Sequence, residues 1–583
     1  MVKTNDIVIT MIGSGGDGVI SSGEILLAAA AKEGLYGMLL KSFGPQIRGG
    51  ESSAKLRISN DKLYTQGDLV NVLVVFNWAD YPRFKTEYEV ADGAYIISDS
   101  KDKLNPLDQE LPWKEKNLKN IQIPIAALTK EKTGGIRGKN IFALGLLAGM
   151  FDLPSDGLKE AIKAKFKKKS DAVINGNIAS LEAGINHISE NKDLDAELKF
   201  EFTKGKPKIV IHGNDAMSLA SIHQGLDFYG SYPITPASEI LMFLNEHLPK
   251  VGGTVIQAED EISAINMAIG ASFSGKKAMT GTSGAGVALK SEAIGLAGMA
   301  EIPLVIVNVM RGGPSTGLPT KFEQSDFLQA MYSTSGDSPK AILAPTDVEN
   351  VYDLGNVAFQ IAEKYQMPVF VLSDQFLSAR MESTDPFDLH KYEVSQRLKP
   401  ADNDEEFLRY KLTENGVSPM PSVGQKGVIY QTSGLEHYEN GRPTSDLDWH
   451  QKMSEKRQKK LDAIAKEFDE VKLSENKDAK TGVIAWGSSA GAVKEAVQML
   501  EKEGYNISLI VPQLMYPLPK HVMQPMVDKL EKLVVVELNF SGQFHGFLKS
   551  EMQLPKDTYS YRRVGGKPFN VSEIYEVLKK QYV

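Results

Sequence analysis

Three times along the chain a β-prone run leads into a turn of small residues and then into a helix-prone stretch. The first is Ile7-Val8-Ile9-Thr10, followed by a glycine-rich turn from Gly13 to Gly18 and a helical run over residues 20–32. The second opens at Lys208-Ile209-Val210-Ile211-His212-Gly213-Asn214, and the third is Gly482-Val483-Ile484-Ala485-Trp486 with Gly487-Ser488-Ser489-Ala490-Gly491 behind it. A strand that feeds a helix must return over its own sheet, so strand-first units predict α/β layers with parallel sheets side by side. Binding sites are then expected at the carboxyl ends of the strands. Strand candidates at 70–76, 94–99, 304–309, 368–372, 507–511 and 533–537 alternate with helical stretches and complete an α/β chain of three domains.

At 583 residues one hydrophobic core is too few. The polar stretch 187–208, with Glu190-Asn191-Lys192-Asp193 and Lys204-Gly205-Lys206-Pro207, reads as a linker. The expected division is a first domain over 1–190, a linker over 191–207, a second domain over 208–395, a connector over 396–425 and a third domain over 426–583. The connector carries Asp402-Asn403-Asp404-Glu405-Glu406 and no sustained periodicity. Leu461, Ile464, Phe468 and Val471 recur at i, i+3, i+7 and i+10, which predicts one narrow apolar helix face in the third domain.

The chain has no cysteine, which excludes disulfides, zinc-thiolate sites and any cluster held by its own thiolates. A net charge of -8, with only a short basic cluster at 165–169, argues against a general nucleic-acid binder. No apolar run reaches membrane-spanning length, and the opening Met1-Val2-Lys3-Thr4-Asn5-Asp6 lacks the apolar core of a signal peptide. A soluble cytoplasmic protein with no membrane contact is the expectation.

Gly13, Gly15 and Gly18 have the spacing of a phosphate-facing turn between strand and helix, with Gly16 inside it. The same turn would also serve helix–strand packing alone, and no acidic residue ends the next strand to hold a ribose. Gly44-Pro45-Gln46-Ile47-Arg48-Gly49-Gly50 offers one guanidinium, Arg48, for a phosphate or carboxylate, or else a surface turn. In Tyr232-Pro233-Ile234-Thr235-Pro236 two prolines flank Ile234 and Thr235 and stiffen an extended loop. Glu259-Asp260-Glu261 ends a strand and starts an apolar helix, where acids suit the positive helix end and a buried Glu261 would hold a proton against a ring nitrogen. Arg311-Gly312-Gly313-Pro314 brings a guanidinium to a strand's carboxyl end, fit to clamp a carboxylate, and Ser315, Thr316 and Thr320 follow with hydroxyls.

With these loops in order, the chain resembles the alpha subunit of 2-oxoacid:ferredoxin oxidoreductases in the arrangement with a gamma-type domain fused ahead. The resemblance covers nearly the whole length. Gly13-Ser14-Gly15-Gly16-Asp17-Gly18-Val19 and the 44–50 loop look like the gamma domain, where the family usually has Gln at Asp17. Gly281-Thr282-Ser283-Gly284-Ala285-Gly286 and the following helix also resemble the family, which commonly has Pro at Ala285 and an apolar residue at Lys290; neither departure falls on a residue assigned to chemistry. Ser433-Gly434-Leu435-Glu436-His437 and Asn440-Gly441-Arg442-Pro443-Thr444-Ser445-Asp446 look like the subgroup acting on larger oxo acids, 2-oxoglutarate among them.

The resemblance implies a pyrimidine-binding domain of the thiamine diphosphate fold in the middle and a transketolase C-terminal-like domain last. It implies that Glu261 contacts the cofactor's aminopyrimidine, that Arg311 clamps the substrate carboxylate with Thr235 and Thr320 assisting, and that Pro233, Ile234 and Ser283 line the cofactor. Gly13, Gly15, Gly16, Gly18 and Arg48 would be the gamma domain's ligand contacts. A beta subunit would hold the diphosphate with Mg2+ and a [4Fe-4S] cluster, leaving no metal on this chain. Gly16-Asp17-Gly18 is no substitute for the beta subunit's motif, since no Asn-Asn pair follows it. Coenzyme A would be the co-substrate, ferredoxin the electron acceptor, and a heterodimer or a dimer of heterodimers the assembly. The implied reaction is oxidative decarboxylation of a 2-oxo acid to acyl-CoA, with 2-oxoglutarate favoured and pyruvate the other candidate. A non-redox thiamine-dependent transferase or decarboxylase, and a non-catalytic scaffold subunit, stay open as alternatives.

Overall fold

The computed structural model describes residues 2–43, 50–101, 113, 115–136, 138–474, 476 and 478–582. They form two compact units, Met1–Ile211 with Arg380–Pro386, and His212–Ala379 with Phe387–Val583.

The first unit is built on an eight-stranded sheet. Asp6–Ser14 pairs in parallel with Leu69–Val75, which continues in parallel through Glu89–Asp99 to Lys119–Ile123. On its other side Asp6–Ser14 pairs antiparallel with Glu51–Ser59, and that strand antiparallel with Tyr36–Phe43. The expectation of parallel sheets fails in this half for a simple reason. Tyr36–Phe43 and Glu51–Ser59 are joined only by residues 44–50, whereas a parallel crossover needs about a dozen residues or more. Helices Val19–Lys32, Lys139–Phe151 and Asp171–Glu190 cover the sheet with an apolar core that includes Leu26, Leu56, Phe142 and Leu181.

Two expected boundaries move. Leu198–Phe200, inside the stretch read as a linker, pairs in parallel with Val2–Thr4, and the Gly205 amide donates to the Glu33 carbonyl at 2.8 Å. Polar side chains concealed this because the pairing uses backbone groups alone. Ile209–His212, expected to open the second domain, lies at the edge of the eight-stranded sheet beside Met381–Thr384, a strand contributed from far along the chain.

The second unit holds two sheets. The larger runs Thr254–Gln257, Phe228–Ser231, Ala278–Thr282, Leu304–Met310, Pro368–Asp374, Ala341–Leu343 and Leu514–Tyr516, all parallel except the last. The smaller is a five-stranded sheet of Val471–Ser474, Ile507–Pro512, Thr481–Ala485, Lys532–Glu537 and Asp557–Arg562, parallel but for its first strand. Strands such as Leu304–Met310 and Pro368–Asp374 are buried along their whole length, as parallel strands covered on both faces must be. The helix expected from Leu461, Ile464, Phe468 and Val471 is Leu447–Glu467, capped by the Asp446 carboxylate, which accepts from the Asp448 and Trp449 amides at 2.9 and 3.3 Å. Phe468 only caps its end, and Val471 already begins a strand. Among the described residues no helix is long and apolar enough to cross a membrane.

Candidate active site

Phe228–Ser231 is flanked by Thr254–Gln257 on one side and Ala278–Thr282 on the other, although both come later in the chain. The order therefore reverses there, and the crevice outside such a switch point is where open α/β sheets bind ligands. Four predicted loops leave the carboxyl ends of these strands and the next one: Tyr232 to Pro236, Glu259 to Glu261, Ser283, and Arg311 to Thr320.

The three acids at 259–261 divide their work. Asp260 is the N-cap of helix Glu261–Phe273, its carboxylate accepting from the Ser263 amide at 2.7 Å, so the helix end is already compensated. Glu259 is exposed, whereas Glu261 is only 6% exposed. Its side chain lies against Gly286 of helix Gly284–Met299. A Cβ at Gly286 would stand 1.9 Å from Thr282 Oγ1 and 3.1 Å from Glu261 Oε1, so only glycine leaves the carboxylate its space.

Behind that carboxylate is a residue the sequence reading set aside. Lys290, one helical turn after Gly286, is fully buried and donates from Nζ to the Glu261 carbonyl at 2.9 Å and to Thr280 Oγ1 at 3.3 Å. Burial depresses its pKa to about 8, with Glu261 and Asp260 opposing the shift.

Arg311 is buried at the end of strand Leu304–Met310 and donates to the Thr235 carbonyl at 2.6 Å, which ties the proline loop to the arginine loop. Its Nε is buried with no partner among the described residues, as are Ser283 Oγ and Asn308 Oδ1. Buried polar atoms are seldom left unpaired, so three of them at one end of one sheet mark a place shaped for a polar ligand. The Thr235 side chain is exposed, and Thr320 stands on the exposed arm of its loop, which is pinned at its base by Gly312 N–H to the Lys321 carbonyl at 2.9 Å. Pro233 and Ile234 are half-buried.

Asp326 closes the base of this loop. Gly284 leaves room for it, since a Cβ there would stand 2.6 Å from Asp326 Oδ2, and Asn308 donates to the same oxygen at 3.1 Å. Burial pushes the Asp326 carboxyl up from 3.8 to about 6, with Asn308 and Arg311 pulling it down and Glu323 pushing it further up. A folded-state pKa above the unfolded one means that ionisation costs stability, a cost that sets in as pH rises from about 4 through about 6. Asp326→Asn should therefore stabilise the protein by about 1–3 kcal/mol at alkaline pH and by nothing below the unfolded carboxylate range. Denaturant titrations on both sides of the window check this, and an equal gain at both ends would refute it.

The Gly13 to Gly18 turn is closed by its own side chain. Asp17 Oδ2 accepts the Ser14 amide at 2.8 Å while Oδ1 pairs with Lys139 Nζ at 2.6 Å. Gly18 takes φ 79° as the N-cap of Val19–Lys32, a left-handed position that suits glycine, and a Cβ would meet Asn140 at 2.6 Å. Arg48 and the rest of 44–49 lie outside the described residues. No group of three or more His, Asp or Glu side chains is placed to hold a metal among the described residues.

Three family descriptions match successive segments: pyruvate ferredoxin/flavodoxin oxidoreductase over residues 8–187, the thiamine-diphosphate-binding pyruvate flavodoxin/ferredoxin oxidoreductase domain over 219–456, and pyruvate:ferredoxin oxidoreductase core domain II over 479–574. The 2-oxoacid:ferredoxin oxidoreductase subunit alpha of Sulfolobus sp is 30% identical over 97% of this chain and 96% of its own length. The 2-oxoglutarate oxidoreductase subunit KorA of Mycobacterium tuberculosis is 31% identical, with 98% of this chain and 91% of the relative covered. Among solved structures, 2-oxoglutarate:ferredoxin oxidoreductase from Magnetococcus marinus, with 2-oxoglutarate, coenzyme A and succinyl-CoA bound, superimposes with TM-score 0.93 at 35% identity, covering 100% of both chains. The switch-point crevice thus falls in the segment matched by the thiamine-diphosphate-binding description, and the chain belongs to the 2-oxoacid:ferredoxin oxidoreductase alpha-subunit family of oxidoreductases.

Proposed function

We propose that this chain supplies the pyrimidine and substrate side of a thiamine diphosphate site in an enzyme that converts a 2-oxo acid, coenzyme A and oxidised ferredoxin to acyl-CoA, carbon dioxide and reduced ferredoxin. One observation carries the reading: a buried carboxylate, Glu261, heads a helix in the thiamine-matched segment, while the buried Arg311 has an Nε with no partner among the described residues at the carboxyl end of the same sheet. Bound thiamine diphosphate would supply a carbon nucleophile and an electron sink for decarboxylation.

The chain's own groups do the rest. Glu261, held against Gly286, exchanges a proton with the aminopyrimidine ring. Ser283 and the Pro233 to Thr235 loop hold that ring in place. Arg311 offers its free edge to the carboxylate that leaves as carbon dioxide, and the Thr235 and Thr320 hydroxyls orient the oxo acid. The whole-chain likeness to the Magnetococcus marinus enzyme supports 2-oxoglutarate over pyruvate.

A partner is required by the chemistry. With no cysteine here, a [4Fe-4S] cluster needs thiolates from another polypeptide, and the same beta subunit would bring the diphosphate and Mg2+ contacts. Met242, Ile262, Met267, Leu289 and Leu318, on elements bordering the crevice, are 69, 51, 42, 52 and 52% exposed, an apolar rim suited to a protein surface.

Co-purification with the partner subunit and an assay of coenzyme A-dependent reduction of a low-potential dye, across a panel of 2-oxo acids, tests the proposal. In that complex Arg311→Met should raise KM for the oxo acid by about a hundredfold, roughly 2–3 kcal/mol, because a neutral side chain cannot replace a buried guanidinium facing a carboxylate. Full activity of the chain by itself, or an Arg311→Met complex with unaltered KM, would refute it.

A further inference from the structure

We propose that Lys290 is a positioning residue for Glu261: it pins the backbone at the glutamate and sets a positive charge behind it. The proton shared between Glu261 and the cofactor's aminopyrimidine is thereby released at a lower pH than it otherwise would be. The inference rests on the thiamine reading of the crevice and deepens it.

Lys290 has no exposure to solvent, and its ammonium has no carboxylate at ion-pair distance among the described residues. Its two acceptors are neutral, a carbonyl and a hydroxyl. A buried ammonium without a paired anion is costly, and a methionine or leucine would fill the same volume at no such cost. The cost is concentrated on one residue, Glu261, whose carbonyl takes the shorter hydrogen bond.

Geometry makes this contact specific. Gly286 and Lys290 are four residues apart on one helix face, so the face that leaves space for the Glu261 carboxylate also delivers the ammonium to the Glu261 carbonyl. Glu261 is the first residue of its helix, so a clamp on its carbonyl holds the backbone from which its carboxylate extends.

Among the described residues, the charged groups near Lys290 can be named. From helix Glu261–Phe273 and its cap they are Glu261 and Asp260. Strands Ala278–Thr282 and Leu304–Met310 and helix Phe327–Tyr332, packed on the same helix, carry no charged residue within their bounds, while Asp326, the cap of the last, packs on Gly284 and Arg311 follows the second strand. Strand Pro368–Asp374 ends on Asp374, which already accepts from Ser488 at 2.6 Å, and Glu292 on Lys290's own helix is exposed. The carboxylates that act on Lys290 are therefore those at the Glu261 end of the site. Burial brings Lys290 itself to about 8, so its charge is present at neutral pH and fades above it.

The test uses the complex of this chain with its partner subunit, loaded with thiamine diphosphate. Near-ultraviolet circular dichroism reads the protonation and tautomer of the bound aminopyrimidine as pH is varied. Lys290→Gln keeps a donor for the Glu261 carbonyl but no charge, and Lys290→Met keeps neither. Both should move the titration midpoint up by roughly one unit, a tenfold change in proton affinity. Lys290→Gln should melt close to wild type, so it carries the test if the Met variant does not assemble. A midpoint unmoved by loss of the charge in the assembled variants overturns the proposal. Calorimetry on the wild-type complex separates the two levels: no binding of thiamine diphosphate there sinks the reading of the site, while binding with an unmoved midpoint sinks the role of Lys290 alone.

Discussion

Glu261→Gln in the assembled complex should cut turnover by about a hundred- to ten-thousand-fold, the range for losing a positioned proton-transfer group. Glutamine has nearly the same volume, so the space against Gly286 stays filled, and the backbone at 261 stays clamped by Lys290. What disappears is the ability to exchange a proton with a ring nitrogen. Thermal stability should change little, because the Asp260 cap that starts the helix is untouched. Steady-state turnover with the preferred oxo acid, together with thiamine diphosphate affinity, checks the outcome. A variant that binds the cofactor and turns over at the wild-type rate would reduce Glu261 to a packing residue and favour the scaffold alternative.

Much of this site was legible in the sequence because its parts are local. Each loop follows a buried parallel strand, and such strands announce themselves as unbroken apolar runs, as in Leu304–Met310. The glutamate and arginine stood out as charges where such runs end. Two parts were not legible. Thr235 was expected to assist in orienting the substrate, but that its carbonyl also receives Arg311 was not, because the partner of a backbone acceptor leaves no mark in composition. Lys290 was noted only as a charge where the family commonly has an apolar residue and was given no role; its further signal was the spacing of four from Gly286, a glycine with a steric reason to be there. The fold shows the same divide. Strand-turn-helix units are local and were found, whereas Met381–Thr384 and Ile209–His212 join the first sheet by pairing across long separations that no window of sequence contains.

The long helix Leu447–Glu467 was under-read for a related reason. A search for apolar periodicity finds Leu461 and Ile464 but passes over Lys456, Arg457 and Lys460, which are buried on the same helix. Two of these lysines converge on one carboxylate. Lys456 Nζ lies 2.7 Å from both Glu301 oxygens and Lys460 Nζ 2.5 Å from Oε2, with all three side chains at 1% exposure or less. Arg409, from the connector without regular structure, donates to the Glu301 carbonyl at 2.7 Å. One glutamate thereby fastens the connector and the Leu447–Glu467 helix to the end of Gly284–Met299, the helix that carries Gly286 and Lys290.

Glu301→Gln should therefore destabilise the protein by about 3–5 kcal/mol, the cost of leaving buried charges without their partner. The position itself underlines the point. Glu301 has φ 51° just past the end of its helix, where Ile302 N–H returns to the Ala297 carbonyl at 2.9 Å, a closure that usually recruits glycine. Glu301→Gly would relieve roughly 1–2 kcal/mol of left-handed strain, yet it should still be less stable than wild type, because Lys456, Lys460 and Arg409 would lose the anion they face. Burial alone would raise the Glu301 carboxyl, but Lys456, Lys460 and Arg409 hold it far below the usual carboxylate range. Burial likewise lowers Lys456 to about 7 despite the pull of Glu301. Without that anion both lysines would lose their protons still more readily in the native state, while the unfolded chain keeps them to about 10.5. The unfolded state then binds more protons, so the stability of Glu301→Gln should recover as pH rises from neutrality toward 10. Lys456→Met, which removes one cation from an excess and keeps the Lys460–Glu301 pair, should cost far less than either change at Glu301. Equilibrium denaturation of the four proteins at neutral and alkaline pH measures all of this. Equal losses in Lys456→Met and Glu301→Gln would show that the cluster acts by packing rather than by charge.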